Sequence, residues 1–218
     1  MMKKYKFSQI AIAIFLFFFF FAGCAGIPVR DEVKPDLSVP VGKIEGNQFT
    51  GIRYPFKVSA PANWQISTQF PEFMLKLGYD KEGLEESEVF VFNPETQSNL
   101  QIDFSPADRY TRFDQKSIES LTTIAGGSFK SEFEKDYGKK VSFEISPTEP
   151  YSLKGVSYAA KRYTTYKARG LKREHGWIYA FNEPYQIFII YMAIDREGRV
   201  DDRPAIKEIL DSFEVFKK

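Results

Sequence analysis

The chain has 218 residues, of which 43% are hydrophobic, with 30 basic and 29 acidic side chains. The near balance of charge excludes the strongly basic class of nucleic-acid-binding proteins, which carry a clear positive excess. It contains one cysteine and one histidine. These counts exclude a core held by intrachain disulfides and a metal site built from several histidines. We therefore expect neither a metal nor another cofactor.

The first 23 residues are typical of an export signal. Three lysines precede an apolar run over 10–21, and Ala22 and Gly23 stand directly before Cys24. A basic start, a short apolar core and small residues at a cleavage point define a secretory signal. The small residues before the cysteine resemble the lipobox of bacterial lipoproteins. By that resemblance, cleavage falls between Gly23 and Cys24, and the Cys24 thiol receives a thioether-linked diacylglycerol.

The main alternative is an uncleaved membrane anchor, because uncharged residues continue from Ala25 to Val29 and extend the run to about 20 residues. Plain secretion is a third interpretation. Cleavage would remove three lysines and no acid, leaving 27 basic and 29 acidic side chains, a net charge near −2. The lipobox and the anchor interpretations both tether the protein outside the cytoplasm. If the cell is Gram-negative, the residue that follows Cys24 favours the outer membrane. Ala25 stands at this position, where an aspartate would resemble a signal for inner-membrane retention.

Residues 24–46 are predicted to be a flexible tether. They hold prolines and alternating charges without apolar periodicity, and such a segment buries too little surface to offset its ordering entropy. Residues 47–218 are the right length for one globular domain.

Strand patterns dominate the first half of that domain. Apolar residues recur over 49–58, and a second short run covers 64–67. Residues 71–87 are predicted to be loop with one short helix. A hairpin is predicted from 88–92 and 100–104, where Leu100, Ile102 and Phe104 alternate with polar residues, the period of a half-buried strand.

The clearest helix begins at Asp114, a good N-cap residue, and stops near Gly138. Gly126 and Gly127 interrupt its apolar face and are expected to bend or split it. Four strands follow, at 141–146, 157–168, 172–181 and 185–194, and then a helix over 202–212 and an extended end at 213–216. Residues 185–194 are apolar on both faces, which predicts a sheet between helical layers.

Three short stretches resemble the extrinsic photosystem II protein PsbP and the wider PsbP/Mog-like fold, which includes many small bacterial lipoproteins. They are Phe49–Pro55 (FTGIRYP), Pro61–Trp64 (PANW) and Ile209–Val215 (ILDSFEV). The resemblance implies an α+β class: an antiparallel β-sheet flanked by helices in an α/β/α sandwich, usually without enzymatic activity. No functional residue carries over, because the matching positions are turn and core residues.

One segment is rich in both basic and aromatic side chains, and we call it the basic hairpin. Its cations and rings suit contact with anionic lipid headgroups, an acidic partner or a glycan. The alternative, which we favour, is an ordinary hairpin. Its basic side chains would cover the sheet and keep an edge strand from pairing with another chain. The candidate residues are Lys161, Arg162, Tyr166, Lys167, Arg169, Lys172, Arg173 and Trp177.

No catalytic motif is present. A triad would need His175 with a serine and an acid, and no G-x-S-x-G nucleophile elbow occurs. The sequence therefore favours a non-catalytic, lipid-anchored protein of the cell envelope that acts through protein contacts or assembly, with an envelope protein as its partner. The alternatives are a module that binds a small ligand or lipid in an apolar cavity, and a hydrolase with a cleft of titratable groups.

Overall fold

A computed structural model describes residues 29–77, 88–137, 143–168, 170–195 and 201–216. Cys24, Arg169 and the expected helix stop at Gly138 lie outside these ranges. The chain forms two compact units, Met1–Asp31 with Asp108–Arg112, and Glu32–Ala107 with Phe113–Lys218. Within the described ranges, no helix combines the length and the apolar character needed to cross a membrane.

The larger unit is built from short strands, three long strands and a few helices. The strands are β1 (Gly42–Glu45), β2 (Gln48–Gly51), β3 (Phe56–Ser59), β4 (Gln65–Ser67), β5 (Val89–Phe92), β6 (Asn99–Pro106), β7 (Phe143–Ile145), β8 (Glu149–Pro150), β9 (Tyr158–Ala168), β10 (Leu171–Asn182), β11 (Tyr185–Asp195) and β12 (Glu214–Val215). The helices are α1 (Phe73–Leu77), α2 (Gln115–Tyr137) and α3 (Arg203–Ser212).

The strands form two sheets in which every pairing of these named strands is antiparallel. The small sheet has the order β1-β2-β3-β12. The large sheet has the order β4-β5-β6-β11-β10-β9-β7, and β8 also pairs with β9. Antiparallel sheets with a few helices confirm the predicted α+β class.

One face of the large sheet, which we call the α3 face, packs against the small sheet and α3. Alternate residues of β6 and β11 point into this core, including Leu100, Ile102 and Ile189, each no more than 1% exposed. The ring of Phe56 on β3 stacks on Phe104 of β6 with centroids 4.6 Å apart. The expectation of helical layers on both faces did not anticipate this second sheet, whose strands β3 and β12 pair residues about 160 positions apart.

The opposite face, which we call the α2 face, carries α2 against β9 and β10. Trp177 lies under the helix and donates its indole Nε1–H to the carbonyl of Thr122 at 2.8 Å. The helix runs unbroken from Gln115 to Tyr137, so of the two expected effects of the glycines, a bend or a split, the split is wrong. A Cβ at Gly126 would lie 3.0 Å from Cζ2 of Trp177, so this glycine lets the helix backbone approach the sheet.

The start of the folded chain also differs from the prediction. The expected tether ran to Gly46, whereas β1 begins at Gly42 and pairs with β2. Gly46 has φ = +61° in the turn between them, a conformation that favours glycine. A short exposed strand with few apolar residues gives little periodic signal, and its pairing with β2 supplies the hydrogen bonds that order it.

Arg30 organises the described part of the smaller unit. Its backbone N–H donates to the carbonyl of Arg109 at 3.1 Å, and the Arg109 Nε–H returns a hydrogen bond to the Arg30 carbonyl at 3.1 Å. The Arg30 guanidinium donates through Nη1 to the carbonyls of Asp108 and Thr111. The segment at 29–31 is therefore held against 108–112 by side-chain and backbone hydrogen bonds together.

Candidate functional site

A groove of about 950 Å³ lies where two loops meet the start of α3. Carboxyl groups dominate its polar lining, and no lysine, arginine or histidine is among the described residues that form it. We call it the acidic groove. Its lining comprises Pro61, Ala62, Asn63, Trp64, Asn93, Glu95, Thr96, Asp201, Asp202, Pro204, Ala205 and Glu208.

Two tight turns fix the walls of the acidic groove. The backbone N–H of Trp64 donates to the carbonyl of Pro61 at 2.9 Å, and the indole ring is only 6% exposed. The carboxamide oxygen of Asn93 accepts from the backbone N–H groups of Glu95 and Thr96 at 2.9 and 3.3 Å, an Asx-type turn. Both walls are therefore held by local hydrogen bonds.

The third wall is the first turn of α3. The carbonyl of Asp202 accepts the hydrogen bond from Ile206 N–H at 2.9 Å, which opens the helix. The Asp202 carboxyl makes no capping hydrogen bond, although the residue is only 4% exposed, and its Oδ2 has no hydrogen-bond partner. A buried acceptor without a donor costs about 1–3 kcal/mol. This oxygen is enclosed by protein and is not itself exposed in the groove.

The other acids of the acidic groove differ in their partners. Arg203 binds Asp201 through Nε at 2.8 Å and Nη2 at 2.6 Å, and these hydrogen bonds lower the pKa of Asp201. Glu95 and Glu208 are exposed, and neither forms an ion pair with another described residue. Within the described ranges, no group of three or more His, Cys, Asp or Glu side chains is arranged to hold a metal ion. The carboxylates of the groove favour positively charged groups.

The basic hairpin, in contrast, does not form one surface, because alternate strand residues point to opposite faces of the large sheet. On the α2 face, Tyr166, Arg173 and Trp177 are 6%, 4% and 3% exposed. Arg162 donates through Nε to the carbonyl of Ser146 at 2.9 Å and through Nη1 to Thr123 at 3.2 Å. Tyr166, Trp177 and Arg162 therefore belong to the packing under and beside α2, and Arg173 is buried on the same face of the sheet.

On the α3 face, Lys161 is surrounded by tyrosine rings. Its Nζ lies 5.0 Å from the ring centroid of Tyr191, 5.4 Å from Tyr151 and 5.9 Å from Tyr163, within the range of cation–π attraction. Burial lowers the pKa of Lys161, while nearby Glu174 and Glu149 act in the opposite direction. The lysine is a half-buried structural cation rather than an exposed basic side chain.

Gly176 makes room for the ring of Tyr191, one of the three tyrosines around Lys161. A Cβ there would lie 2.1–2.3 Å from the ring and hydroxyl of Tyr191, which crosses the backbone of β10 at this point. The Tyr191 hydroxyl donates to Oε1 of Glu174 at 2.9 Å. An aromatic ring covering a strand glycine is a known way to fill the space of the missing side chain.

Lys167 and Lys172 are the two described members of the basic hairpin that are exposed. They face each other across β9 and β10. Arg169 lies outside the described residues, as does Cys24. That the exposed end of this hairpin contacts a partner stays a prediction.

His175 lies on β10 with its ring edge-on to Phe129, 4.8 Å between centroids. Burial, with Arg173 as a second cause, lowers the pKa of His175 to about 4. In the part of the chain that the structure describes, its side chain forms no hydrogen bond to a serine or an acid. The arrangement of a hydrolytic triad is therefore not found around it.

Sequence reasoning overlooked the acidic groove, although some of its signals were readable. An acid before a proline, as in Asp202-Arg203-Pro204, is typical of a helix start, and Asn93-Pro94 is typical of a turn. These signals locate the separate elements. They do not show that the three walls, about 30 and 105 residues apart along the chain, meet in space.

Comparison with known proteins places the chain by its fold alone. No family model matches it, and no curated protein matches it. The solution structure of cyanobacterial PsbP (CyanoP) from Synechocystis sp. PCC 6803 is similar, with a TM-score of 0.51 at 12% identity over 85% of this chain and 98% of that one.

Two further solved structures are similar at lower scores. A crystal structure from Bacteroides thetaiotaomicron gives a TM-score of 0.48 at 11% identity, over 80% of this chain and 50% of that one. LpqN of Mycobacterium tuberculosis, described as involved in cell envelope biogenesis, gives 0.46 at 10% identity, over 74% and 83%. The likeness to CyanoP and the antiparallel topology together establish a PsbP-like α+β fold.

Proposed function

We propose that this protein is a non-catalytic, lipid-anchored component of the cell envelope that binds a basic segment of a partner protein in the acidic groove. The observation that carries the proposal is the lining of that groove. It combines the exposed carboxylates of Glu95 and Glu208 with the acidic residues Asp201 and Asp202 at the start of α3, and its described lining contains no basic side chain.

A lysine- or arginine-bearing segment fits this chemistry better than a small cation. Charge-assisted hydrogen bonds to carboxylates are about twice as strong as neutral ones, and arginine makes them in pairs. The apolar part of the groove, formed by Pro61, Trp64 and Pro204, suits the aliphatic stems of such side chains. A volume of about 950 Å³ is at the upper end of the range for small-molecule pockets and accommodates several residues.

The proposal is tested with a defined probe, a fluorescent octapeptide of four arginines and four alanines, titrated against the full-length protein in detergent. The triple variant Glu95→Gln, Asp202→Asn, Glu208→Gln is expected to bind at least tenfold more weakly, about 1.4 kcal/mol. Wild-type affinity should also fall as salt is raised, because exposed charges are screened. An octapeptide with glutamate in place of arginine should not bind.

The matched control neutralises three exposed acids outside the groove, Glu45→Gln, Glu72→Gln and Glu144→Gln. It changes the net charge by the same amount and should leave affinity within about twofold, roughly 0.4 kcal/mol. If both triple variants lost the same affinity for the arginine peptide, binding would depend on net charge alone. Absence of binding to the wild type would contradict the proposal directly.

The anchor is a separate part of the proposal, supported by the lipobox-like residues before Cys24 and by the basic, then apolar, run that precedes them. Two or three acyl chains give stable attachment, since each buried methylene adds about 0.8 kcal/mol and one chain is marginal. Mass spectrometry of the mature protein is expected to show an N-terminal Cys24 with lipid mass. An unlipidated wild type, or the same mass gain in Cys24→Ala, would refute the anchor.

A further inference from the structure

Residues 29–31 lie against the loop formed by residues 108–112, which we call the exit loop. Arg30 holds the two segments together and is itself only 9% exposed. Through its guanidinium and its backbone N–H it donates to three carbonyls of the exit loop, those of Asp108, Arg109 and Thr111. The point from which the chain leads back toward Cys24 is therefore held on this loop.

The exit loop is shaped by Asp108. Its Oδ1 accepts hydrogen bonds from the Thr111 hydroxyl at 2.8 Å and from the backbone N–H of Tyr110 at 3.0 Å. The hydrogen bond from Thr111, with that from Tyr110 as a second cause, lowers the pKa of Asp108. An aspartate that bonds the backbone two residues on is typical of a formed turn. The exit loop therefore presents its side chains in a fixed arrangement.

Aromatic, apolar and basic side chains stand out on this surface. Tyr110 is 60% exposed, and Val29, next to Arg30, is 61% exposed. Arg112 is exposed, and Cζ of Arg109 lies 5.9 Å from the ring centroid of Tyr110. Tyrosine is enriched at membrane–water interfaces, and arginine donates paired hydrogen bonds to phosphate. This combination suits the headgroups of a phospholipid surface.

A lipid anchor at Cys24 would keep the exit loop close to the bilayer. Five peptide units separate Cys24 from Val29. Because an extended chain advances at most about 3.6 Å per residue, Val29 would lie within about 18 Å of the lipidated cysteine. At this distance the contact is effectively intramolecular, so it forms without the affinity that a free protein would need.

We propose that the exit loop and Val29 rest on the phospholipid surface, with the ring of Tyr110 at the level of the headgroups and the guanidinium of Arg112 on a phosphate. The inference rests on the lipid-anchored part of the proposed function and does not involve the acidic groove. Residues 29–31 and 108–112 hold three arginines and two aspartates. Their net charge is thus only +1, so the contact depends on the ring and the paired hydrogen bonds and does not require anionic lipid.

Brominated phosphatidylcholine quenches tryptophan that touches it, and vesicles of this lipid carrying the lipidated protein test the contact. Trp64 and Trp177 are 6% and 3% exposed, so their emission serves as a constant background. In Tyr110→Trp, the introduced ring is expected to lose roughly half or more of its emission, because interfacial aromatic rings lie at the headgroup level. The matched control Ile124→Trp, at a position of α2 that is 66% exposed, should keep its emission.

The role of Arg112 is tested in the same background. Arg112→Gln combined with Tyr110→Trp should reduce the quenching, because the paired hydrogen bonds to phosphate are lost. Lys43→Gln removes one positive charge from an exposed position of β1 and should leave the quenching unchanged. Equal effects of these two charge removals would contradict the part assigned to Arg112.

Flotation of the same vesicles reports on the anchor separately. If the protein floats with the vesicles but Tyr110→Trp keeps its emission, the membrane contact is wrong while the anchor stands. If neither brominated lipid nor acrylamide in the water quenches the introduced ring, protein covers the exit loop, and the inference is again overturned. A protein that neither floats nor carries lipid mass refutes the anchor and the membrane contact together.

Discussion

At the scale of single residues, Glu88 is the side chain whose environment most clearly opposes its charge. It is 5% exposed, and Nη1 of Arg53 lies 3.6 Å from its Oε1. Burial nevertheless raises the pKa of Glu88 to about 7, with Asp103 acting in the same direction and Arg53 in the opposite one. The loss of hydration therefore outweighs the ion pair, as is common for buried carboxylates.

This environment predicts a specific pH dependence. Because the folded pKa of Glu88 lies above its ordinary value of 4.5, the folded state binds the proton more tightly than the unfolded state. The contribution of Glu88 to the free energy of unfolding should fall by up to about 3 kcal/mol as pH rises from about 4.5 to about 7, whereas the lowered pKa of His175 adds an opposite contribution between about pH 4 and 6.5. In urea unfolding at several pH values, Glu88→Gln should therefore gain stability relative to the wild type as pH rises over this range, because only the Glu88 contribution is removed.

The matched variant Glu45→Gln alters an exposed acid and should keep the wild-type slope. If the difference in stability between Glu88→Gln and the wild type is the same at low and high pH, Glu88 does not have the raised pKa. Measurements at pH 5 and pH 8 are sufficient. The free energies of unfolding of Glu88→Gln and Glu45→Gln should differ little at pH 5 and most at pH 8.

At the scale of elements, α2 shows how two adjacent glycines have different roles. Gly126 is buried against Trp177 and Arg162, whereas nothing lies within 4 Å of a Cβ built at Gly127. Both positions carry the usual helical cost of glycine, about 1 kcal/mol against alanine. Only Gly126 gains close packing in return.

We expect Gly127→Ala to raise the free energy of unfolding by about 1 kcal/mol, because alanine loses less backbone entropy than glycine when a helix forms. Gly126→Ala should fall short of that gain or lose stability, since its Cβ would lie 2.9 Å from Nη1 of Arg162 and 3.0 Å from Trp177. Chemical denaturation of both variants checks this. Equal gains would show that the space beneath α2 is larger than these distances indicate.

At the scale of the whole molecule, the small sheet is formed by strands from distant parts of the chain. Strand β12 pairs with β3, and the preceding Phe213 is 1% exposed. Its ring centroid lies 5.7 Å from that of Phe56 in the small sheet and 6.4 Å from that of Phe104 in the large one. One aromatic cluster therefore joins both sheets, with contributions from the start, the middle and the end of the chain.

Removing this ring should cost much of the stability. Phe213→Ala is expected to lower the free energy of unfolding by about 3–5 kcal/mol, the usual range for a buried phenylalanine. Ile124→Ala, at a side chain that is 66% exposed, should change it by less than about 0.5 kcal/mol. Thermal or urea unfolding measures both, and a loss below about 1 kcal/mol at Phe213 would contradict its role as a link between sheets.

Local patterns in the sequence were enough to place many elements. The hairpin of β5 and β6, the long strands β9 to β11 and the helices α2 and α3 were all expected close to their observed bounds. Their signals are periodic apolar residues, caps and turn residues, which act within a few positions of the chain. The apolar content of β11 predicted that both of its faces are covered, which the α3 face confirms, whereas Phe188 and Ile190 on the α2 face are only half-buried.

Tertiary structure decided which side chains meet. In β9 and β10 both faces mix polar and apolar residues, so only the layers above and below determine that Lys161 enters a tyrosine cluster while Arg162 turns toward α2. The acidic groove needs three separated segments, and the aromatic cluster around Phe213 needs residues of both sheets. The sequence alone determined the class of fold, because that depends on local composition and period, while the export signal that it indicates stays a prediction. The sites depend on contacts between distant segments, which packing alone sets.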